Sequence, residues 1–480
     1  MKILGSRWPA RLAGCTALTV GLAGASAGAS ASAQARITAT VSQPHVVASW
    51  GLNNTSQLGD GTTTSRSRYG DIGAGNDVVQ VAAGYGSPSG HGLAVRSDGT
   101  VWAWGANSFG QLGDGTTTSR SAPAQVPGLT GVTQMAGGCN HSLALRSDGT
   151  VWAWGGNGAG QLGRGTITDH EATPAQVTGL AGITKISAGC GFNLALRSDG
   201  TVWAWGYDNV GQLGNGSTAT SAVPAKVAGL SHVTSISAGW DSSVATATNG
   251  ISVITSVWTW GSNDHGQLGD GTLAGHTTPE RVTGLPVYIA GASAGGKFAA
   301  VLGTDGSVWG WGFDGNGQLG NAPASTPVTR PVNTIGIGSG ITQIAAGLVI
   351  MLALKSNGTA LAWGDNSQGE LGIGTTTNVT GPVRVTALTG ATQVAAGAES
   401  GFAVHVPLPT VPDLSDDTTA QAGQVLQAAG LVLGTVTKVT DKYCNYLGTV
   451  MSQNPPAGTA VSPGSAVSIT IGQSPPNGCP

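Results

Sequence analysis

The feature that most constrains this chain is a Trp-Gly pair that recurs seven times along it. The tryptophans of these pairs are Trp50, Trp104, Trp154, Trp205, Trp260, Trp311 and Trp363. Successive positions differ by 54, 50, 51, 55, 51 and 52 residues. A period of this length is typical of repeat architectures, in which each unit buries its apolar face only against its neighbours. The sequence therefore predicts a ring or an array of similar units.

Each unit carries four strand signals. Around Trp104 the segment T-V-W-A-W alternates β-favouring residues, and residues 124–126, 132–136 and 142–146 supply three more short apolar runs. Ser-Asp-Gly-Thr at 147–150 joins the last run to the next Trp strand, and Asp-Gly between apolar runs indicates a tight hairpin. Four strands in a unit of about 50 residues are typical of a propeller blade. Seven units predict seven blades.

The two ends of the repeat region predict how the ring closes. The last unit ends with two strands, at 392–396 and 401–406, and no Trp strand follows them. The first unit begins with a lone strand at 45–50 that lacks the preceding partners. We expect the N-terminal strand to complete the last blade, because this pairing covers an open sheet edge. The predicted fold is all-β: a seven-bladed β-propeller closed by the N-terminal strand, followed by a small α+β module.

The repeat resembles a known family. The units W-A-W-G-x-N-x-x-G-Q-L-G-D-G-T and A-A-G-x-x-H-S-L-A-L-R-S-D-G are similar to the regulator of chromosome condensation (RCC) repeat over residues 36–406. The resemblance implies the propeller fold and a role as a binding platform. The family includes an exchange factor for a small GTPase, and the fold is also similar to that of a secreted inhibitor of β-lactamases.

A second resemblance covers the C-terminus. The prolines at 407–410 predict a linker, and a helix at 420–431 and strands at 432–439, 449–453 and 466–471 are expected after it. V-P-D-L from residue 411, Q-A-A-G-L-V-L-G and S-Q-N-P-P-A-G resemble a PASTA domain over residues 411–472. That resemblance implies binding to peptidoglycan fragments. Residues 473–480 form a C-terminal tail.

Residues 1–35 have the pattern of a signal peptide. Lys2, Arg7 and Arg11 precede an apolar stretch at 12–23, and two A-x-A sites follow, so cleavage is expected after Ala33 or Ala35. A membrane anchor is the alternative, but the stretch is shorter than the roughly 20 residues that cross a bilayer. Lipidation of Cys15 is a second alternative. The mature chain is expected to be a monomer, secreted or wall-associated, with no integral membrane segment.

Four cysteines remain after cleavage. Cys444 and Cys479 are predicted to pair and to clip the tail to the C-terminal module. Cys139 and Cys190 hold one position in adjacent units, and a disulfide between them depends on whether their Cα atoms approach within about 7 Å. The chain has no C-x-x-C motif and so no expected zinc site.

The remaining chemistry signals are weak. Charged residues make up 9% of the chain and the net charge is −3, so a basic surface for nucleic acid is not expected. G-x-S-x-G, H-E-x-x-H and Walker motifs are absent from the sequence. His91 and His141 share one unit position and are interpreted as blade architecture. We expect no enzyme activity, no cofactor and no metal.

Differences between units predict the binding surface. The framework repeats, whereas two loops vary. The loop after Trp-Gly carries Phe109, Tyr207, Asp208, His265, Phe313 and Asp314. The loop after Ala-Gly carries Tyr85, Trp240, Asp241, Lys297 and Glu399, together with Cys139 and Cys190. Both loops link strand ends of the same polarity, so both should open at one end of the propeller. A variable rim that binds nothing is the alternative interpretation.

Three functional hypotheses follow, besides an enzyme such as a lyase or glycosidase, which would need a carboxylate or His cluster at the axis that the sequence does not show. The first is a secreted or cell-wall-associated binding protein, with the propeller contacting a protein or glycan and the PASTA module contacting peptidoglycan. The second is an inhibitor of a secreted hydrolase such as a β-lactamase. The third, which rests on the family resemblance alone, is a regulator similar to a guanine-nucleotide exchange factor.

Overall fold

A computed structural model describes residues 44–86, 90–250, 255–321 and 325–479. The expected signal peptide lies outside these residues, as does the Ser-Pro-Ser tip of the loop at 84–90. Within the described ranges the strands form seven four-stranded antiparallel sheets and one three-stranded mixed sheet. The single helix found there is ten residues long, and no helix in these ranges is long and apolar enough to cross a membrane.

The seven four-stranded sheets are named blades 1 to 7, and their strands are as follows. Blade 1 has β3 (Val78–Ala83), β4 (His91–Arg96), β5 (Val101–Gly105) and β6 (Arg120–Gln125). Blade 2 has β7 (Val132–Gly137), β8 (His141–Arg146), β9 (Val151–Gly156) and β10 (His170–Gln176). Blade 3 has β11 (Ile183–Ala188), β12 (Phe192–Arg197), β13 (Val202–Gly206) and β14 (Ser221–Lys226). Blade 4 has β15 (Val233–Ala238), β16 (Ser242–Thr248), β17 (Thr255–Gly261) and β18 (His276–Arg281).

The remaining three blades follow the same plan. Blade 5 has β19 (Ile289–Ala294), β20 (Phe298–Gly303), β21 (Val308–Gly312) and β22 (Val328–Asn333). Blade 6 has β23 (Ile341–Ala346), β24 (Ile350–Lys355), β25 (Ala360–Gly364) and β26 (Val379–Arg384). Blade 7 joins both ends of the repeat region: β27 (Ala391–Ala396), β28 (Ser400–His405), β1 (Val46–Gly51) and β2 (Arg66–Ile72).

The first strand of each blade lies nearest the propeller axis. A channel at the axis is lined by residues from β3, β7, β11, β15, β19, β23 and β27. The fourth strand of each blade lies outermost and has mostly exposed or half-buried residues, whereas the second and third strands are almost fully buried. The predicted seven-bladed propeller is therefore confirmed.

Blade 7 closes the ring, and it does so with two N-terminal strands instead of one. β1 pairs with β28 over its whole length, from Val46 opposite His405 to Gly51 opposite Ser400. β2 then adds to the outer side of β1. The sequence R-S-R-Y-G-D-I of β2 lacks the proline that all six other outer strands contain. For that reason only β1 was expected from the sequence.

A ring of seven hydrogen bonds connects each blade to the one before it. The buried tryptophan of each Trp-Gly pair donates its indole Nε1–H to a main-chain carbonyl in the G-Q-L-G loop of the preceding blade. The donor–acceptor distances are 2.7–2.9 Å. The pairs are Trp50–Glu370, Trp104–Gln57, Trp154–Gln111, Trp205–Gln161, Trp260–Gln212, Trp311–Gln267 and Trp363–Gln318. The tryptophan repeat is thus the structural link between blades.

The last glycine of G-Q-L-G is required by the same contact. Gly113 has a φ of +73°, and a Cβ atom there would lie 2.6 Å from the indole nitrogen of Trp154. Any larger residue would collide with the tryptophan and strain the backbone. Leu112 beside it is buried in the core that contains Trp154. The G-Q-L-G motif therefore forms the site against which the tryptophan of the next blade packs.

A second set of contacts joins the innermost strands of neighbouring blades. The Gln80 side chain donates to Met135 O at 3.1 Å and accepts from Met135 N at 2.7 Å. Gln134 and Gln343 make the same two-way contact to the following blades. Gln393 of blade 7 makes the same contact to Val81 of blade 1, so the seam between the chain ends is held like the junctions at Gln80, Gln134 and Gln343. At the other three junctions a serine hydroxyl accepts a single main-chain N–H.

The C-terminal module has its own core. Helix α1 (Thr419–Ala428) begins with a capping box at Thr418 and Gln421, and the sheet consists of β29 (Val432–Thr440), β30 (Val450–Asn454) and β31 (Ala466–Gln473). The helix ends three residues before the predicted limit, where Ala429 and Gly430 cap it. A disulfide joins Cys444 and Cys479, which confirms that pairing. Ala422 and Leu426 pack into the apolar core under the sheet.

The link between blades can be tested at Trp104. Replacing Trp104 by Phe removes the donor to Gln57 O and leaves a void in a fully buried site, so the free energy of unfolding should fall by about 2 kcal/mol. Trp102, which lies half-buried under Arg96, is the matched control, and Trp102→Phe should cost about 1 kcal/mol or less. Urea unfolding of the two variants measures the difference. Equal costs would contradict the assigned role of Trp104.

Candidate functional site

The two variable loops of every blade open at the same end of the propeller. In each blade the residue after Trp-Gly donates its main-chain N–H to a carbonyl of the loop after Ala-Gly. Examples are Gly156 to Asn140, at 2.7 Å, and Ser262 to Asp241, at 3.0 Å. The other five bonds are Leu52–Glu399, Ala106–Gly90, Tyr207–Gly191, Phe313–Lys297 and Asp365–Val349. These bonds hold fourteen loops in one layer, which is named here the loop face.

A cavity of about 510 Å³ opens on the loop face across blades 1 to 3. Phe109 and Tyr207 flank it, with 39% and 41% of their surfaces exposed. Cys139 and Cys190 also line it, and they form a disulfide with a Cα–Cα distance of 4.7 Å. The disulfide confirms the second cysteine pair and covalently joins blades 2 and 3 beside the cavity. An exposed aromatic pair around a concave site is typical of a binding surface.

Polar residues that the sequence did not single out complete this cavity. Asn140, Gln161, Asp169 and His170 all line it. A signal was present for the last two, because the segment from Asn157 to Pro174 is one residue longer than its counterpart in blade 1. The insertion carries Asp169 and His170 to the rim, where they are exposed. The cavity therefore combines aromatic walls with hydrogen-bonding groups.

Four predicted residues gather elsewhere on the loop face, at blades 4 and 5. The His265 ring packs edge-on against Phe313, with ring centres 5.6 Å apart. Asp264 lies 2.9 Å from His265 Nδ1 and 3.9 Å from Lys297 Nζ. Burial, and then the charge of Asp264, raise the pKa of Asp241 to about 6. This group is named the charged cluster, and Asp264 is its one member that the sequence analysis missed.

Glu399 lies in an acidic recess of about 640 Å³ between blades 6 and 7. Asp365 and Glu370 line the same recess. Burial raises the pKa of Glu370 to about 7, and the charges of Asp365 and Glu399 add to the effect. Glu370 stands where the other repeats carry the glutamine of G-Q-L-G, so the sequence did contain a signal for it.

Tyr85, Trp240 and Asp208 lie in positions that the sequence did not indicate. Tyr85 is 9% exposed, and its hydroxyl lies across the channel, 2.9 Å from Ala294 O and 3.0 Å from Ala346 O. Burial raises its pKa. Trp240 is half-buried, and its main chain bonds to the loops of the adjoining blades. Asp208 is fully buried at the base of its loop. Tyr85 therefore fills the channel and is not part of an exposed surface.

The repeated histidines connect blades. His91 Nε2 lies 3.0 Å from Ser142 Oγ, and that hydroxyl donates to Gln111 O, so His91 must donate its Nε2–H. His141 makes the corresponding bond to Asn193 Oδ1 at 2.7 Å. Both rings are fully buried. Burial lowers the pKa of His91 to about 3 and that of His141 to about 4, so both are neutral at physiological pH.

Family models match most of the chain. An RCC1-like domain model matches residues 25–245, and the regulator of chromosome condensation repeat model matches 256–302, 305–354 and 357–404. A PASTA domain model matches residues 409–473. Together these matches cover both the repeat region and the C-terminal module.

Individual relatives agree with these models. The chain is 30% identical over 343 residues to the Ultraviolet-B receptor UVR8 of Arabidopsis thaliana, covering 68% of this chain and 75% of the receptor. It is 31% identical over 377 residues to the E3 ubiquitin-protein ligase HERC2 of Homo sapiens, covering 75% of this chain but 8% of the ligase.

Solved structures share the fold. Yeast RCC1 (Prp20), crystallised bound to Kap60, matches with a TM-score of 0.66 and 24% identity, covering 80% of this chain and 92% of that one. Human WBSCR16 matches with a TM-score of 0.67 and 24% identity, covering 75% of this chain and 98% of that one.

His91 provides a test of the electrostatics of the framework. Its native pKa lies below the ordinary value of about 6.5, so unfolding takes up a proton and the His91 contribution to stability is lost as the pH falls from about 6.5 towards 4. In blade 3, Phe192 holds the same position, so His91→Phe should fold. Unfolding free energies at pH 7 and pH 4 should show the variant less acid-sensitive, by on the order of 2 kcal/mol. An identical pH profile for both proteins would contradict the buried neutral state.

Proposed function

Because the chain belongs to the family of regulator of chromosome condensation repeat propellers and carries a C-terminal PASTA domain, we propose that it is a secreted or cell-wall-associated, non-enzymatic binding protein. The loop face of the propeller contacts a protein or glycan partner. The PASTA module contacts peptidoglycan and holds the protein at the wall. The N-terminal signal pattern and the two disulfides support export, because disulfides persist in oxidising compartments.

The observation that carries the proposal is the cavity of the loop face between Phe109 and Tyr207. Phe109 and Tyr207 occupy positions that vary from blade to blade, so side chains there can be selected for contact without a cost to the repeated framework. Tyrosine and phenylalanine bring apolar area with few rotatable bonds, which makes them favourable anchors for a partner. The nearby Asn140, Asp169 and His170 supply donors and acceptors that orient it.

The framework residues support a role without catalysis. His91 and His141 are neutral and are occupied by contacts between blades. The recurring aspartates, such as Asp98 and Asp148, accept hydrogen bonds from the threonine two residues on and so shape their turns. These polar groups serve the fold, whereas the charged cluster at blades 4 and 5 and the acidic recess at blades 6 and 7 lie apart on the loop face.

The propeller half of the proposal is tested by affinity capture. The mature chain is immobilised and exposed to culture supernatant of the producing organism, and the retained species are identified by mass spectrometry. Phe109→Ala combined with Tyr207→Ala should weaken capture by about 30-fold or more, since interface anchors are worth about 2 kcal/mol or more. Tyr288→Ala is the matched control: this tyrosine is 49% exposed, but it lies in the loop between β18 and β19 at the opposite end of the propeller.

Two outcomes would reject that half. Capture that is equally strong with the double variant would exclude the cavity as the contact site. Capture that falls as much with Tyr288→Ala would place the contact away from the loop face. A hydrolase among the captured species, inhibited by the chain in an activity assay, would assign the inhibitor function.

The PASTA half is tested separately with purified peptidoglycan. The full mature chain should sediment with insoluble peptidoglycan, and a chain that ends at residue 406 should stay in the supernatant. The truncation leaves all seven blades complete, because the last propeller strand ends at His405. Equal retention of the two chains would remove wall anchoring from the proposal without affecting the capture experiment.

A further inference from the structure

Two loops of the propeller carry an aspartate where the other five carry an asparagine, and the one in blade 3 points to a bound ion. In five blades the loop after Trp-Gly begins with a buried asparagine: Asn53, Asn107, Asn157, Asn263 and Asn366. Blades 3 and 5 have Asp208 and Asp314 at that position, both buried in the same manner. The substitution exchanges an amide nitrogen, which donates hydrogen bonds, for a carboxylate oxygen, which only accepts them.

The asparagine loops show what that nitrogen does. Asn107 Oδ1 accepts from Leu112 N at 2.9 Å. Its Nδ2 lies 3.0 Å from the carbonyls of Thr116 and Thr118, 3.3 Å from Thr116 Oγ1 and 3.4 Å from Asp114 Oδ1. Asn53 and Asn263 occupy the same surroundings, with distances of 2.9–3.3 Å. The nitrogen therefore lies among four oxygen atoms, an arrangement named here the nest. Its two hydrogens are shared among these four acceptors.

The loop at Asp208 has the same length and internal hydrogen bonds. Asp208 Oδ1 accepts from Leu213 N at 3.0 Å, as Asn107 Oδ1 does from Leu112 N. Ser217 N donates to Asn215 Oδ1 and Ala219 N donates to Ser217 Oγ, which reproduce the contacts of the asparagine loops. By this correspondence we assign Asp208 Oδ2 to the place of the amide nitrogen, with Asn215, Ser217 and Ala219 at the positions of Asp114, Thr116 and Thr118.

Asp208 Oδ2 has no hydrogen-bond partner, although it is shielded from solvent. Asn215 does not supply one through its own amide, because Asn215 Oδ1 is turned inward to accept from Ser217 N. Burial raises the pKa of Asp208 to about 6, because a carboxylate is costly to remove from water. Of the five oxygens assigned to this place, only the Ser217 hydroxyl carries a hydrogen, and it makes no hydrogen bond to Asp208 Oδ2.

We propose that this loop binds a hard metal cation such as Ca²⁺, held by Asp208 Oδ2, Asn215 Oδ1, the Ser217 hydroxyl and the carbonyls of Ser217 and Ala219. Ca²⁺ takes six to eight oxygen ligands, and carboxylate, amide and main-chain carbonyl oxygens are the ligands it prefers. Asn215 and Ser217 are half-buried, so water can complete the shell from the solvent side. A site with one carboxylate is expected to be weak, with a Kd of about 10⁻⁴–10⁻³ M as in extracellular calcium modules.

The nest differs from an ordinary cluster of ionisable metal ligands. Across the described ranges, no group of three or more His, Cys, Asp or Glu side chains is arranged to hold a metal ion. Only one ligand of the Asp208 nest is ionisable, and the others are neutral oxygens. One cation satisfies all five of them, whereas a proton on Asp208 would satisfy a single acceptor.

Terbium luminescence tests the site in the full mature chain. Tb³⁺ replaces Ca²⁺ in sites made of oxygen ligands. Trp205 and Tyr207 precede Asp208 closely enough along the chain to sensitise the luminescence of a bound Tb³⁺. Tb³⁺ should give a saturable signal with wild type that millimolar Ca²⁺ reverses. Asp208→Asn should lose this signal while remaining folded, because it restores the residue found in five other loops. Asp241→Asn, in the charged cluster, is the matched control and should retain it.

A second measurement separates a cation from a proton. Ca²⁺ at 10 mM should raise the Tm of wild type and leave the Tm of Asp208→Asn unchanged, since a ligand that binds only the folded state stabilises it by mass action. Terbium signals that are equal in wild type and Asp208→Asn would overturn the proposal. A wild-type Tm that responds to pH around 6 and not to Ca²⁺ would also overturn it and assign a proton to the nest.

Discussion

The hydrogen bond from a buried indole to a carbonyl of the preceding blade is the interaction on which the rest of the propeller depends. Each blade is a small sheet that cannot bury both of its faces alone, so its stability comes from its neighbours. The tryptophan fills the space between two blades, and its Nε1–H satisfies a buried carbonyl that would otherwise be unpaired. The G-Q-L-G loop has the shape that accommodates this indole ring. Each of the seven repeats supplies one indole donor and one G-Q-L-G loop that accepts the indole of the next blade. These contacts therefore set both the number of blades and their spacing.

Closure adds a constraint that acts between the chain ends. Pairing of β1 with β28 places the first and the last strand of the repeat region in one sheet, and Gln393 bonds to Val81 across the seam. Tyr85 then ties blade 1 to blades 5 and 6 through the channel. A ring held in this way presents its fourteen loops rigidly. Rigid presentation favours binding, because less conformational entropy is lost when a partner docks.

The candidate site was partly predictable because the repeat provides its own reference. Phe109, Tyr207, His265 and Phe313 depart from the framework, and the structure places them on the loop face. Tyr85 departs equally, yet it fills the channel, since its loop lies beside the axis. Asp208 departs too, but its side chain points into its own loop. A residue that differs from its counterparts in the repeat indicates a position with a separate role. The difference does not show whether the side chain points to solvent, to the channel or into its own loop. Asn140 and Gln161 escaped notice because residues of their type are common in such loops.

The sequence by itself determined the blade count, the four strands of each blade, the ring closure and the presence of a separate C-terminal module. These features follow from a local pattern repeated many times, and local hydrogen bonding and burial are enough to specify them. Only the tertiary structure decided which variable residues meet. The cavity joins residues of three blades, the charged cluster joins blades 4 and 5, and the acidic recess joins blades 6 and 7. Such groupings depend on how far each side chain reaches over a neighbouring blade, and that distance is set by packing and not by position in the repeat.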